Sequence, residues 1–349
     1  MIEGRINLYS DTQSRPTLAM RQAMLAAEVG DEQKGLDQSV NQLCDYVADL
    51  LGKEAAMFLP SGTMCNEIAI LVHCRPGDEV YADQSAHIRN YEAGGPAALA
   101  GVSICAIPGE NGVYTAEMLA EAIRADSRYA PRSRLVSVEQ TSNLGGGKIW
   151  PLEAIRSIAQ VANSHNLLLH LDGARLMNAV VASRISAQDY CQPFDSAWVD
   201  LSKGLGCPFG AVLAGSQTFI DEAWRWKQRI GGAMRQAGMM AAAGLYALEH
   251  HLDQLAIDHQ HARRFAEIIS GDDRINLDPE KIDTNIVLID ISETGLSAPQ
   301  VSVKLEQAGI NIGAFSNTLL RAVTHIDVSA DHIEEAGQTF LDTIRQLLS

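Results

Sequence analysis

The chain has 349 residues, 46% of them hydrophobic and 20% charged, with a formal net charge of -16 and a pI near 5.0. That length and apolar content suffice for one large core and a second, smaller one, filled mostly by aliphatic and small side chains because aromatics are only 5%. The acidic balance disfavours nucleic acid and anionic membranes as partners, and no apolar run reaches the roughly 18 residues of a membrane span. The start lacks a signal peptide's apolar stretch, and the six cysteines form no C-x-x-C pair. Reduced thiols in a cytoplasmic protein are therefore expected.

Residues 2–5 read I-E-G-R, which is also a tag-cleavage site, and no function is placed there. From Ala55 the chain alternates strands and helices. Ala55 to Leu59 predicts a strand and Met64 to Val72 a helix. Glu79 to Ala82, Val102 to Ile107 and Arg134 to Glu139 predict further strands. Leu152 to Ser164 has helical spacing, and Leu167 to Leu171 is a run of the buried-strand type. Ala197 to Leu201 and Ala211 to Leu213 complete the set. Apolar strands separated by helices imply an α/β fold, with a mostly parallel sheet flanked by helices. The proline-free stretch Gly232 to Ala256, rich in Ala, Met and Leu, predicts one long helix. Beyond it, Asn285 to Ile289 and Leu320 to His325 predict strands, and Ala298 to Ala308 and Asp331 to Leu348 helices. This pattern divides the chain into a large domain, residues 1–255, and a smaller C-terminal α+β domain, residues 256–349.

Three segments carry chemistry, and all fall at predicted strand ends, where parallel α/β sheets bind ligands. Pro60-Ser61-Gly62-Thr63 joins a strand to a helix, so small residues and a helix N-terminus are available to a phosphate. Ser and Thr there are equally ordinary helix caps. Asp172 ends a buried strand, where a carboxylate needs a partner. That partner could be a protonated pyridine nitrogen or simply Arg175. Lys203 follows an apolar strand in Leu-Ser-Lys-Gly-Leu-Gly, where a low dielectric favours its neutral, nucleophilic form. Together they offer the three fixed points that pyridoxal 5'-phosphate (PLP) needs: phosphate, ring nitrogen and aldehyde carbon.

These and other segments resemble the threonine aldolase / β-eliminating lyase family of fold-type-I PLP enzymes. The matching residues include Ser10-Asp-Thr, Pro60-Ser-Gly-Thr, Ala86-His87, Glu92-Ala-Gly-Gly, His170-Leu-Asp-Gly-Ala-Arg175, Leu201-Ser-Lys-Gly-Leu-Gly, Gly231-Gly-Ala-Met-Arg-Gln236 and Arg321-Ala-Val-Thr-His325. The resemblance implies that Lys203 carries the cofactor and Asp172 pairs with its ring nitrogen. Ser61, Gly62 and Thr63 would hold the phosphate. His87 would stack on the ring and could move a proton. Ser10, Arg175 and Arg321 would grip a substrate carboxylate, which a guanidinium fork binds well. Arg235 would reach a phosphate, in this family often across a subunit interface, so a homo-oligomer, dimer or tetramer, is implied. The implied activity is aldol cleavage of a 3-hydroxy-α-amino acid to glycine and an aldehyde. β-elimination and racemisation are the alternatives, and a non-catalytic PLP-binding protein is a further one that the intact Lys203, Asp172 and Arg321 argue against.

Two positions depart from the family pattern. Its Glu-Asn-Thr-His-Asn segment is Glu139-Gln-Thr-Ser142-Asn143 here, so Ser142 stands where a histidine would meet the substrate hydroxyl, and serine is a poor base. A usual tyrosine is Lys34, which could recruit a second acidic group or sit in a surface salt bridge. Trp150 and Trp198 are expected in the core. His250, His251, His259 and His261 are expected on a solvent-facing helix, and no metal is assigned.

Overall fold

The structure is a computed structural model that describes residues 5–349. Of the I-E-G-R segment, residues 2–4 lie outside the described residues, and Arg5 pairs with Glu306 at 2.7 Å. A short strand, β1 (Ile6–Asn7), comes first. Seven strands follow: β2 (Ala55–Leu59), β3 (Asp78–Asp83), β4 (Ser103–Ile107), β5 (Arg132–Glu139), β6 (Leu168–Asp172), β7 (Ser196–Asp200) and β8 (Ala211–Gly215). They form one sheet in the order β2-β8-β7-β6-β5-β3-β4. Every pair is parallel except those of β8, which runs antiparallel to β2 and β7. β7 and β8 are buried along their whole length, as strands covered on both faces must be.

Where the sequence pattern is local, it is realised. The helix Leu152–Ser164 has the expected bounds, and its buried Ile155, Ile158, Ala159 and Ala162 recur every three or four residues on one face. The predicted single helix over Gly232 to Ala256 is not realised. Instead the chain forms helices Gly238–His250 and Leu252–Ile269, preceded by an irregular loop. Tertiary contacts override propensity at both places. The Met234 amide donates to Glu32 Oε2 at 2.8 Å and the Glu32 amide donates to the Arg235 carbonyl, pinning the loop. At the break, the His251 ring bonds the Leu205 carbonyl at 2.8 Å.

The remaining strands are β9 (Ile286–Asp290), β10 (Ile310–Asn311), β11 (Gly313–Ala314) and β12 (Leu319–Val323). β11, β12 and β9 make a small antiparallel sheet. It packs with the terminal helix Ala330–Leu348 around a second core, separate from that of the large sheet. Helix Leu252–Ile269 spans both: Leu255 packs in the first core, and Ala262, Phe265 and Ile269 in the second. The chain's start also joins the second core, through Ile6 and Leu8 and through β1, which pairs with β10.

Because β8 is reversed, the carboxyl ends of β2, β3, β5, β6 and β7 share one edge of the sheet. Ser61, His87, Asn143, Arg175 and Lys203 lie just beyond these ends. Arg321, on β12, reaches the same place from the small sheet.

Candidate active site

Asp172 ends β6 and is 2% exposed. Its Oδ1 accepts the Ala174 amide at 3.0 Å and its Oδ2 accepts Asn66 Nδ2 at 2.8 Å. Burial raises its carboxyl above the ordinary range, against the opposing pull of His87, Asn66 and Lys203. Asn66 gathers the surroundings. Its Nδ2 also donates to Glu92 at 2.7 Å, and its Oδ1 accepts Trp198 Nε1 at 2.7 Å and faces His170 Nε2 at 3.1 Å. Trp198 is buried, as expected, yet it also joins two site segments. The Lys203 amine lies 5.7 Å from its ring centroid. On another side, a Cβ on Gly62 would come within 2.2 Å of its Cη2. Backing the ring away would break the bond to Asn66. Gly62→Ala is accordingly expected to destabilise the protein by about 1–3 kcal/mol; an unchanged urea midpoint would show that the ring is free to shift.

Lys203 lines the cavity at the sheet edge, and its amine pairs with Asp200 at 2.7 Å. Gly62 and Thr63 open the helix Gly62–His73, whose first-turn amides have no intrahelical acceptor. Ser61 caps that helix by accepting the Met64 amide at 3.3 Å.

His87 lies beyond β3 and also lines the cavity. Its Nδ1 bonds Glu92 Oε1 at 2.8 Å. Burial would lower the imidazole pKa, but the Glu92 bond and the charges of Asp172, Glu92 and Glu139 outweigh it and raise it. Glu139, at the end of β5, accepts the backbone amides of His87 at 2.7 Å and Asn143 at 2.8 Å, so it holds two cavity loops together. Burial and the charge of Asp172 push its carboxyl up to about 7.

The cavity occupies about 310 Å3, and its walls include Ser10, Asn143, Arg175 and Arg321. Arg175 does not pair with Asp172, one of the two options its position left open. It forks onto buried Asp11, with Nε to Oδ2 at 2.8 Å and Nη2 to Oδ1 at 2.7 Å. Arg321 Nη1 donates to Asn143 Oδ1 at 2.9 Å, and Arg175 Nη1 approaches the same oxygen at 3.4 Å. Burial and then the neighbouring Arg175 charge lower the Arg321 pKa. Two guanidiniums against one aspartate leave an excess positive charge, which suits a carboxylate. Ser10 caps the turn that carries Asp11, its Oγ accepting the Thr12 amide at 3.2 Å.

Other expected positions lie elsewhere. Ser142 is buried and its hydroxyl accepts the Gly145 amide at 3.2 Å; it is not part of the cavity wall, whereas its neighbour Asn143 is. Arg235 is exposed, pairs with Asp31 at 3.1 Å and does not line its own chain's cavity. Lys34 is exposed at the end of a short turn and is also absent from the wall. Trp150 packs edge-on against Tyr114 in the core. Of the four helical histidines, His251 and His259 are buried rather than solvent-facing, and Asn178 bonds the His259 ring at 3.1 Å. Sequence reasoning missed Asp11, Asn66 and Asn143 as site residues. Asp11 and Asn143 stood inside segments already singled out, but no local pattern assigned them partners.

The sequence profile described as β-eliminating lyase matches residues 7–293. The low specificity L-threonine aldolase of Escherichia coli (strain K12) is 40% identical over 333 residues, covering 95% of this chain and 97% of its own. The low-specificity L-threonine aldolase 1 of Arabidopsis thaliana is 37% identical over 338 residues, covering 95% and 94%. Among solved structures, a Leishmania major threonine aldolase superposes with a TM-score of 0.82 at 18% identity, over 99% of this chain and 100% of its own. The architecture is that of fold type I.

Proposed function

The chain belongs to the β-eliminating lyase family, and from that premise we propose that it is a PLP-dependent lyase. Its reaction is the cleavage of a 3-hydroxy-α-amino acid of the L-threonine or L-allo-threonine type into glycine and an aldehyde. The observation that carries this reading is one cavity whose walls bring together the Lys203 amine, the His87 imidazole and the Arg175 and Arg321 guanidiniums, the last two meeting at Asn143.

The residues present fit PLP. Asp172 is buried among neutral donors, a setting that favours a cationic ring nitrogen as its partner. Lys203 would take the aldehyde and His87 would lie against the ring. Ser61, Gly62 and Thr63 would hold the phosphate, with Arg235 serving a neighbouring subunit's phosphate. When bound, the cofactor supplies a cationic ring that stabilises negative charge at the substrate's Cα.

The chain's own residues do the rest. Arg321, Asn143 and the free edge of Arg175 orient the substrate carboxylate, with Ser10 beside them. Because Nδ1 of His87 is engaged by Glu92, Nε2 is the atom left to take the 3-hydroxyl proton. As that proton leaves, the oxygen's electrons form the aldehyde carbonyl while the Cα–Cβ bond opens. Cα then takes a proton to give glycine. Ser142, turned toward Gly145, is not needed as the base. Tyr9, Tyr91 and Phe315 on the wall offer apolar surface to the substituent on Cβ.

The test is to incubate the protein with L-threonine, L-allo-threonine and phenylserine and assay aldehyde, ammonia and enantiomer ratio. Equal yields of aldehyde and glycine are expected. Ammonia without aldehyde would replace this reading with β-elimination, and a changed enantiomer ratio alone would replace it with racemisation.

We propose residues 1–255 as the large domain and 256–349 as the small one, a division that the two separate cores support apart from the N-terminal strand. A cytoplasmic homo-oligomer, dimer or tetramer, is the setting we favour. The six free thiols suit a reducing compartment, and among the described residues no helix is long and apolar enough to cross a membrane. Sedimentation measures the oligomer.

A further inference from the structure

One acid beside the site stands without a donor. Glu67 follows Asn66 on the helix Gly62–His73 and is 4% exposed. Neither of its carboxylate oxygens has a hydrogen-bond partner, and Glu92 Oε2 has none either. Buried polar atoms of this kind are costly and rare. The space is tight: a Cβ on Gly95 would lie 1.9 Å from Glu67 Oε1, so glycine at 95 makes room for this carboxyl. The Gly95 amide bonds the Glu92 carbonyl at 2.8 Å, so the turn that Glu67 packs against is the one that carries Glu92, and Glu92 is the titratable group that acts on it. Ionised carboxylates only accept, so these oxygens cannot satisfy one another unless one carboxyl keeps its proton.

We infer that Glu67 is a neutral carboxylic acid that donates its proton to Glu92 Oε2 and is thereby a positioning residue for His87. The donor count around Glu92 then closes. Its Oε1 accepts from Asn66 Nδ2 at 2.7 Å and from His87 Nδ1 at 2.8 Å, and its Oε2 accepts from Glu67. Held from three sides, Glu92 is fixed in place. It therefore sets both the tautomer and the orientation of the imidazole. Burial and the charge of Glu92 push Glu67 up to about 8, so it holds its proton at neutral pH. The other titratable groups around the network include Asp172 and Glu139, which act on His87, Cys65, which feels the charge of Glu92, and Lys203, which acts on Asp172. The link to catalysis rests on the role proposed above for His87. The shared proton does not.

The test uses the purified holoenzyme and its Glu67→Gln and Glu67→Leu variants. Glutamine can still donate to Glu92 but cannot ionise, and leucine can do neither. Infrared difference spectra taken across the titration should show a protonated carboxyl that is lost around pH 8 in the parent protein. Glu67→Gln should lack it. Thermal unfolding gives an independent reading. Between the ordinary glutamate value and about 8 the unfolded chain has released a proton that the folded chain keeps, so rising pH favours unfolding. The Tm of the parent should therefore fall more steeply over that range than that of Glu67→Gln. In turnover, Glu67→Leu should lower kcat roughly tenfold with little change in KM, the loss of one oriented hydrogen bond, and Glu67→Gln should recover most of it. If Glu67→Gln leaves the carboxyl signal and the Tm slope unchanged, the shared proton is wrong. If the signal disappears but Glu67→Leu keeps its kcat, the positioning role is wrong. Neither result depends on which substrate is cleaved, so a failure of the aldolase reading would be seen separately.

Discussion

Lys203→Ala is expected to abolish covalent attachment of the cofactor and to lower kcat/KM by about a thousandfold or more. Among the described residues, Lys203 is the one lysine on the wall of the 310 Å3 cavity. Its amine is held at 2.7 Å by Asp200 and lies over the Trp198 ring, which also packs against Gly62. No neighbouring side chain can take its place: Arg175 and Arg321 are guanidiniums, which do not lose a proton in this range. Borohydride treatment of the holoenzyme, followed by peptide mass analysis, checks the chemistry directly. The parent should carry a reduced pyridoxyl adduct on Lys203 and the variant none. An adduct on another lysine, or full activity in Lys203→Ala, would overturn the assignment. The fold should survive, because the lysine amine is partly exposed and its removal leaves Asp200 with the Ser202 amide and hydroxyl as donors, at 2.6 and 2.9 Å.

The second large effect is on stability. Asp11→Ala is expected to cost about 3–5 kcal/mol, because it strands the Arg175 guanidinium in the interior without its anion. Both partners are almost wholly buried, and two charge-assisted bonds at 2.7 and 2.8 Å join them. A protein of this kind has roughly 5–15 kcal/mol in total, so the variant should sit near its unfolding limit. Urea unfolding measures the loss. Asp11→Asn, which keeps a hydrogen bond to Arg175 but not the charge, should lose less. The pH dependence has a definite sign. Burial raises the Asp11 carboxyl, but Arg175 outweighs it and holds the group well below its ordinary value of 3.8. The pair's contribution is therefore fully present above that value and is lost as the pH falls through and below it. A parent protein no more acid-sensitive than Asp11→Asn would contradict this pairing. Activity should fall in parallel, because a displaced Arg175 no longer supports Asn143 on the cavity wall.

Much of the site was legible before any contact was known. Asp172 and Lys203 each follow a short apolar run, so the sequence pattern alone places them at strand ends, and strands β6 and β7 end within one residue of the expected positions. The helix Leu152–Ser164 was legible for the same reason: its period is written in neighbouring residues. The single helix expected over Gly232 to Ala256 shows where this stops. Its composition favours a helix throughout, but hydrogen bonds to Glu32 and to Leu205, contacts no local window contains, divide it.

By itself, then, the sequence determined the α/β class and the PLP family, and it pointed to Lys203 and Asp172 through strand-end patterns and to His87 and Arg321 through family resemblance. Tertiary structure decided who pairs with whom. Asp11 meets Arg175 across 164 positions, and Asn66 meets Asp172 across 106. The parallel order of β3, β5, β6 and β7 and the small sheet's approach put the loops after these four strands, and Arg321, around one cavity. Ser142, the substitution that clouded the reaction most in the sequence, proves to turn toward Gly145, off the cavity wall. The reason is general: strand and helix signals are carried by neighbours, whereas the partners of a buried charge are chosen by the packing that excludes water around it.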